Sequence, residues 1–340
     1  MDLSNLEKIL ESEPKYRLKQ ANEAVFKNFI SDWSEATSFP KDLRDKLNKE
    51  CPFKIKANVL VSKKEDSVKA IITLKDGLKI ETVLIRHKDN RNTACVSSQV
   101  GCPLGCVFCA TGKMGFKRNL TSDEIIEQVI FFNRYLSQKS YGCMMSVNSE
   151  RITNVTYMGM GEPFLNYDNV LKSIRILNNK EYFNIGARSI SVSTSGIVEG
   201  IKKLSEEGLQ VNLAISLHAP NDKLRSSLMP INKKYPIDVV FKSVDDYIKK
   251  TNRQMMFEYV LIKSVNDTDK CAEELAKLMK KSLYYVNLIL YNATGIFKPS
   301  NTKRVERFKE ILKKNKIIFS QRYRFGGDIQ AACGQFATSK

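Results

Sequence analysis

The chain has 340 residues, 42% hydrophobic and 27% charged with nine prolines, a composition expected of a soluble globular protein large enough for one sizeable core plus a smaller unit. No apolar run approaches the ~18 residues that a membrane span needs. The opening MDLSNLEKILESEPKYRL has acids where a signal peptide needs an apolar core, so a cytoplasmic location with reduced thiols is expected. A formal charge of +18 points to a polyanionic partner such as nucleic acid.

In chain order, LEKILE, AVFKNFI and LRDKLNKE space their apolar residues for helices, with SFPKD as a break. This first stretch, residues 1–50, is close to neutral, with nine Lys/Arg against ten Asp/Glu. From residue 57 the period becomes two, in ANVLVS, VKAIITLKDG and LKIETVLIR, with KKED and KDG as turns. Residues 1–90 therefore read as an accessory domain, helical over 1–50 with a small antiparallel sheet over 55–90.

After residue 91 short β-branched runs alternate with amphipathic helices. The runs are TACVSS (93–98), ITNVTYM (152–158), ARSISVS (187–193), VNLAISL (211–217), QMMFEYVL (254–261), YVNLILY (285–291) and IIFSQRY (317–323). TSDEIIEQVIFFNRYL, VEGIKKLSEE, IDVVFKSVDDYIKK, KCAEELAKLMKK and VERFKEILKKN are helices between them. That alternation predicts βαβ units and a parallel sheet. Six or so units are too few for a closed eight-stranded barrel, so an α/β partial barrel over 91–340 is expected, open enough for a macromolecule. A doubly wound sheet is the alternative. The unusual loops all follow strands: the cysteine loop, GMGEP, TSG, HAPND, YNATG and GGDIQAACGQ. Strand C-terminal ends are where α/β barrels place their sites.

Four of the eight cysteines crowd into ACVSSQVGCPLGCVFC, and Cys102, Cys106 and Cys109 are spaced C-x3-C-x2-C. Zinc usually takes four ligands, or three including histidine. Here His87 and His218 are the only histidines, and neither sits near a cysteine pair. Three soft thiolates suit an iron–sulfur cluster, and three on a four-iron cluster leave one iron open. Cys333 lies in a glycine-flanked, alanine-rich segment that is poor core material. Residues 301–324 just before it carry nine basic and two acidic side chains, a charge expected to favour its thiolate. Cys95 taken alone reads equally well as a small buried strand residue. His218 alone reads as a core or rim histidine, and is given a binding role only. Cys51, Cys143 and Cys271 fit no motif and read as structural.

C-x3-C-x2-C with Phe108 before its last cysteine is the radical S-adenosylmethionine (SAM) signature. Its flanks are ETVLI, CVSSQVGC, FCATG, GFKRNLT, MGMGEPFLN, STSGI, AISLHAPND, LMPIN and DIQAACGQ. Together they resemble the RlmN/Cfr family of radical SAM RNA adenine methyltransferases, densely over 81–335 and loosely before. The resemblance implies a partial (β/α)6 radical SAM barrel. It also implies a [4Fe-4S] cluster on Cys102, Cys106 and Cys109 with SAM on the open iron. Cys333 then matches the cysteine methylated by one SAM, whose methyl carbon becomes the radical that adds to the base. Cys95 matches the partner that releases the adduct through a Cys95–Cys333 disulfide, and Glu81 the proton acceptor. Gly161, Glu162, Ser193, Ser216, Leu217, His218 and Asn292 match SAM contacts.

The chemistry is coherent. Adenine C2 lies between two ring nitrogens and is too electron-poor to be a nucleophile, so ordinary methyl transfer is closed to it while radical addition is open. The implied product is 2-methyladenosine in 23S rRNA at the peptidyl transferase centre, and in tRNA next to the anticodon. Pro163 after GE leans toward this RlmN-like branch; Cfr-like C8 methylation, giving antibiotic resistance, is the alternative. A radical SAM enzyme acting on protein or small molecules would need neither Cys95 nor Cys333. A metal-bearing RNA-binding module would need no SAM contacts. A flavodoxin- or ferredoxin-type electron donor, a monomeric state and no membrane partner are further expectations. Lys113, Lys117, Arg118 and the basic 303–324 segment are candidates for phosphates, with Phe116 or Tyr323 for base stacking.

Overall fold

Three helices open the chain, α1 (Leu3–Leu10), α2 (Tyr16–Phe26) and α3 (Lys41–Glu50), each burying one apolar face. The computed structural model describes residues 3–140 and 151–337, so Cys143 lies outside the described residues. Trp33 is fully buried among the helices. Its indole N–H donates to the Cys51 carbonyl at 2.9 Å, and its ring packs edge-on against Phe53, centroids 4.9 Å apart. Burial of such an aromatic is worth ~2–3 kcal/mol, and a satisfied N–H keeps that gain from being lost to desolvation.

Four antiparallel strands follow: β1 (Lys56–Val61), β2 (Ser67–Thr73), β3 (Lys79–Arg86) and β4 (Asn92–Cys95). The strands expected to form a small separate sheet instead extend the barrel. β3 pairs with β4, Val83 opposite Cys95, and β4 is the first parallel strand, so one ten-stranded sheet crosses residue 90. The reason is hydrogen bonding: β4 would otherwise be an open edge, and β3 closes it. The helices are fastened to the same body, because the Arg134 guanidinium stacks 4.7 Å over Phe53 and donates to the Phe53 carbonyl at 3.1 Å.

A hairpin of β5 (Gln99–Gly101) and β6 (Phe116–Asn119) interrupts the barrel, with the short α4 (Ala110–Lys113) inside its loop. The repeating units then run α5 (Ser122–Ser140), β7 (Asn154–Tyr157), α6 (Tyr167–Asn178), β8 (Ile190–Thr194), α7 (Val198–Glu206) and β9 (Asn212–Ser216). They continue with α8 (Asp222–Leu228), α9 (Ile237–Thr251), β10 (Met255–Leu261), α10 (Asp269–Leu278), β11 (Tyr284–Leu290), α11 (Thr302–Lys314) and β12 (Phe319–Gln321). From β4 onward the order β4-β7-β8-β9-β10-β11-β12 follows the chain and every pairing is parallel, which is the expected open α/β barrel. β10 and β11 are long, mainly apolar strands, whereas β7 and β8 alternate buried and half-buried side chains.

α11 alters one expectation. Half of its six basic residues are engaged in ion pairs on the helix itself or with α10: Arg304 and Arg307 pair with Asp269, Arg307 also with Glu310, and Lys309 with Glu306. The basic segment therefore does not as a whole flank the barrel mouth.

Candidate active site

The cysteine loop hangs from the β5–β6 hairpin. Gly101 has φ 75°, and a side chain there would place Cβ 1.8 Å from the Gly115 carbonyl, so only glycine permits the loop to close. The Cys102 N–H then donates to Gly115 at 3.0 Å, Val107 to Leu228 at 3.0 Å and Cys109 to Cys106 at 3.1 Å. Cys102, Cys106 and Cys109 line one cavity. Burial pushes the Cys102 thiol up to about 12 and Cys106 higher, and neighbouring thiolates add to the effect. Only a bound cation would make these thiolates at neutral pH. No three His, Cys, Asp or Glu side chains among the described residues converge as on a single ion. A four-iron cube spreads its thiolates wider than one ion does, so the donor set fits a cluster.

The same cavity is walled by the strand ends, with Gly161, Glu162, Ser193, Ser216 and His218 facing the three cysteines. Gly161 has φ 100°, and a Cβ would lie 2.6 Å from Cβ of Gln99, so the backbone there is bare by necessity. The Glu162 carboxylate accepts from the Ser195 N–H at 2.8 Å, its hydroxyl at 2.7 Å and the Phe164 N–H at 3.1 Å, while burial raises its pKa. Ser193 and Ser216 hydroxyls are 3.3 Å apart. His218 adopts left-handed backbone (φ 56°). Leu217 differs from its neighbours: its side chain is in the core and only its backbone is near, the N–H donating to Glu258 at 3.1 Å.

A second cavity adjoins the first and holds two further cysteines. Cys95, at the end of β4, and Cys333, in the tail, line it together with Asn292. The topological expectation that the first strand and the tail meet at one rim is met. The tail is pinned to the cysteine loop by Ala110 N–H to Gly334 at 2.8 Å and Thr111 hydroxyl to Phe336 at 2.6 Å. Both thiols are free, so the bridge that the resemblance implies is not formed. The expected thiolate bias at Cys333 is also reversed. Although the residue is exposed overall, its thiol is crowded by the cavity wall, and burial pushes it up to about 12 despite Arg322 nearby. Burial raises Cys95 as well.

Asn292 faces this second cavity rather than the first. Its amide donates to the Cys333 carbonyl at 3.1 Å, and its Oδ1 is buried without a partner. Such an orphan acceptor awaits a ligand donor. Glu81 lines neither cavity: it is fully buried on β3, paired with Lys69 at 2.8 Å beneath the tail. Arg118 is unavailable to a phosphate, since it is bridged to Glu124 and Asp76. Lys113 donates to the Thr294 carbonyl at 3.0 Å. Phe116 and Tyr323 remain exposed, at 44% and 59%.

Three charged residues at or behind the cavities escaped the sequence reading. Glu258, an acid inside the apolar run QMMFEYVL, faces the first cavity and accepts from the Asn287 amide at 3.1 Å. That isolated charge was the available signal. Arg322 lines both cavities. Arg225, hidden in HAPNDKLRSSLMPIN, is fully buried behind the strand ends and donates to the carbonyls of Ser195, Ser216, Leu217 and Tyr235.

A partial barrel of parallel strands with three loop thiols at its open end defines the class of radical SAM enzymes. The radical SAM superfamily pattern matches residues 96–279. A "Probable dual-specificity RNA methyltransferase RlmN" of Dictyoglomus thermophilum is 46% identical over 98% of this chain and 94% of its own length. One of Streptococcus suis is 41% identical over 97% and 89%. A "Ribosomal RNA large subunit methyltransferase N" of Nitrosopumilus maritimus is 41% identical over 95% and 93%. The crystal structure of a radical SAM methyltransferase from Sphaerobacter thermophilus superposes with a TM-score of 0.91 at 42% identity, covering 99% of this chain and 97% of that one. The chain belongs to the RlmN family of radical SAM methyltransferases, and its cofactors are a [4Fe-4S] cluster and SAM.

Proposed function

We propose that this enzyme methylates C2 of adenine in 23S rRNA, and in tRNA, with Cys333 as the methyl carrier. The observation that supports this reading best is the placement of Cys333 between two cavities, one lined by the three loop cysteines and the other by Cys95. A sulfur that must take a methyl from SAM and later hand a carbon to RNA needs both neighbours. Cfr-like C8 methylation is not favoured, since the relatives above carry the RlmN name.

Cys102, Cys106 and Cys109 would hold the [4Fe-4S] cluster, which when bound would supply the electron for reductive cleavage of SAM. The protein does the rest. Gly161, Glu162, Ser193, Ser216 and His218 hold SAM at the strand ends, with the Leu217 backbone behind them. Cys333 carries the methyl group and, once a hydrogen atom has left it, presents the carbon to C2. Cys95, across the same cavity, then frees the base from Cys333. Glu81 takes the C2 proton, which requires the tail above it to shift.

The enzyme is proposed to act as a monomer in the cytoplasm with a flavodoxin- or ferredoxin-type donor. Among the described residues no helix is long and apolar enough to cross a membrane. The test is anaerobic turnover of a 23S rRNA fragment with SAM and reductant, followed by nucleoside mass spectrometry. A 2-methyladenosine peak is expected, absent with Cys333→Ala. An 8-methyladenosine peak, or turnover without Cys333, would overturn the reading.

A further inference from the structure

Five residues line both cavities and so form the junction between them: Met158, Ile289, Arg322, Cys333 and Phe336. Three are apolar, one is the carrier thiol, and Arg322 is the only charged one. The base must lie at this junction, because the Cys333 methyl carbon must face the SAM side to lose hydrogen and then reach C2. Apolar walls of Met158, Ile289 and Phe336 suit the faces of a flat ring. The guanidinium is what meets its edge.

Arg322 is poorly engaged by the protein itself. Its backbone N–H, just past β12, donates to the Leu288 carbonyl at 2.8 Å, but its side chain makes one hydrogen bond among the described residues, to the Met158 thioether at 3.2 Å. The ionisable groups near it include Glu258, His87 and the two thiols, Cys333 and Cys95, and no carboxylate lies at ion-pair distance among the described residues. A guanidinium has five N–H donors in a rigid fork, so most of them face the cavity unspent. Resting on the C2 reading above, we infer that Arg322 donates a hydrogen bond to a ring nitrogen flanking C2 of the target adenine, N1 or N3, and so activates that carbon toward the Cys333 methylene radical.

The chemistry follows from electron count. When the S-methylene radical adds to C2, one carbon–carbon bond forms, the ring loses one π bond, and the unpaired electron settles on the ring nitrogens. No atom leaves in this step. An α-thio carbon radical is electron-rich, so it adds faster to a ring whose nitrogen is polarised by a cationic donor. The same donor then stabilises the charge and spin that arrive there, as a preaimed dipole does for an oxyanion. A phosphate would instead need an open groove and several cations.

The experiment uses the full holoenzyme, wild type and Arg322→Gln, with iron content and melting temperature matched. Substrates are RNA fragments with adenine, 1-deazaadenine or 3-deazaadenine at the target. Wild type must first form 2-methyladenosine on unmodified RNA; if it does not, the underlying reading fails, and Arg322 is not at issue. With that in hand, Arg322→Gln is expected to keep S-methylation of Cys333 by mass spectrometry and RNA affinity within about threefold. Its turnover should fall about 100-fold, the scale for losing one preorganised donor. One deaza analogue should slow wild type similarly but not slow Arg322→Gln further. Loss of Cys333 methylation would make Arg322 a thiol activator, and loss of RNA affinity with a flatter salt dependence would make it a phosphate anchor. Fully additive effects with both analogues would remove the ring contact; each of these results overturns the proposal.

Discussion

The backbone N–H of Val260 donates to Nδ1 of His218 across 3.2 Å, so that nitrogen carries no proton in the folded protein. Burial, with the Arg225 charge adding to it, pushes the His218 pKa down to about 3. Below its ordinary value of 6.5 the unfolded chain binds a proton that the native state refuses, so His218 costs stability as pH falls and nothing above that value. Each pH unit is worth about 1.4 kcal/mol, so acidifying from 6.5 to 5.5 should cost about 1 kcal/mol through this residue alone. His218→Asn keeps an acceptor oxygen and tolerates the left-handed backbone at φ 56°. Urea unfolding of the two proteins at pH 7.5 and 5.5 isolates the effect, because the buried carboxylates are common to both. A wild-type loss equal to that of the variant would exclude a neutral, buried His218.

Arg225 joins three parts of the barrel that the chain visits separately. Its guanidinium donates to Ser195 at 2.6 Å, to Ser216, Leu217 and Tyr235 at 3.2 Å each, and to Asn232 Oδ1 at 2.7 Å. Replacing it with Met leaves these carbonyls buried and unpaired, each orphan costing ~1–3 kcal/mol. Arg225→Met should therefore lose at least about 3 kcal/mol of unfolding free energy. Arg225→Lys should recover less than half, since one ammonium cannot span the fork. A melting temperature within a degree of wild type for the Met variant would refute this role.

Gly161 is a steric test of the proposed SAM cavity. An alanine there is strained by φ 100° and drives Cβ to 2.6 Å from Gln99. Gly161→Ala should weaken SAM binding by equilibrium dialysis at least about tenfold, the effect of roughly 1.4 kcal/mol. Gly186 is the control, since a Cβ there meets nothing within 4 Å. Equal SAM affinity in both variants would mean that the GMGEP loop does not touch the cofactor.

What was legible in the sequence was what depends on local pattern. The alternation of β-branched runs and amphipathic helices gave the seven parallel strands, and the three-cysteine spacing gave the loop at their open end. What needed the third dimension was hidden. The β5–β6 hairpin is too short for any periodicity, with strands of three and four residues. The union of the antiparallel strands with the barrel depends on β3 pairing across residue 90, which no local signal encodes. Net charge misled at both ends of its range. It credited the whole 303–324 segment with a place at the mouth, where Arg304, Arg307 and Lys309 are spent on ion pairs, and it promised a thiolate at Cys333 where crowding outweighs Arg322. Arg322 itself was counted among the basic residues, but which of them turns inward is set by strand alternation at the end of β12.

In the proposed mechanism Cys95 and Cys333 act at different times, so they make separable predictions. Cys333→Ala removes the carrier, so neither protein methylation nor modified nucleoside should form. Cys95→Ala leaves the carrier and its cavity intact but removes the thiol that faces it. With SAM, reductant and RNA present, that variant should accumulate an RNA–protein adduct visible as a denaturation-resistant shift on a gel, and product should fall at least about 100-fold. Free turnover by Cys95→Ala without adduct would deny it the releasing role.

Lys69 controls the state of Glu81. Both side chains are buried, and Lys69 Nζ lies 2.8 Å from the carboxylate while also donating to the Gln330 carbonyl of the tail at 3.2 Å. Burial raises the Glu81 pKa, and the Lys69 charge opposes that rise. Lys69→Met removes the opposition, so the carboxyl is driven further toward its protonated form. A proton acceptor must be ionised to work, so the acidic limb of the pH–rate profile should move to higher pH in Lys69→Met. Activity should be lost at neutral pH and partly recovered in alkali. The native variant would also hold a proton that the unfolded chain releases, so its stability should fall as pH rises through the usual carboxylate range and above. Cys333 methylation, which needs no base at C2, should survive the substitution. A uniform loss of rate with an unmoved acidic limb would assign the Lys69–Glu81 pair to holding the tail rather than to proton transfer.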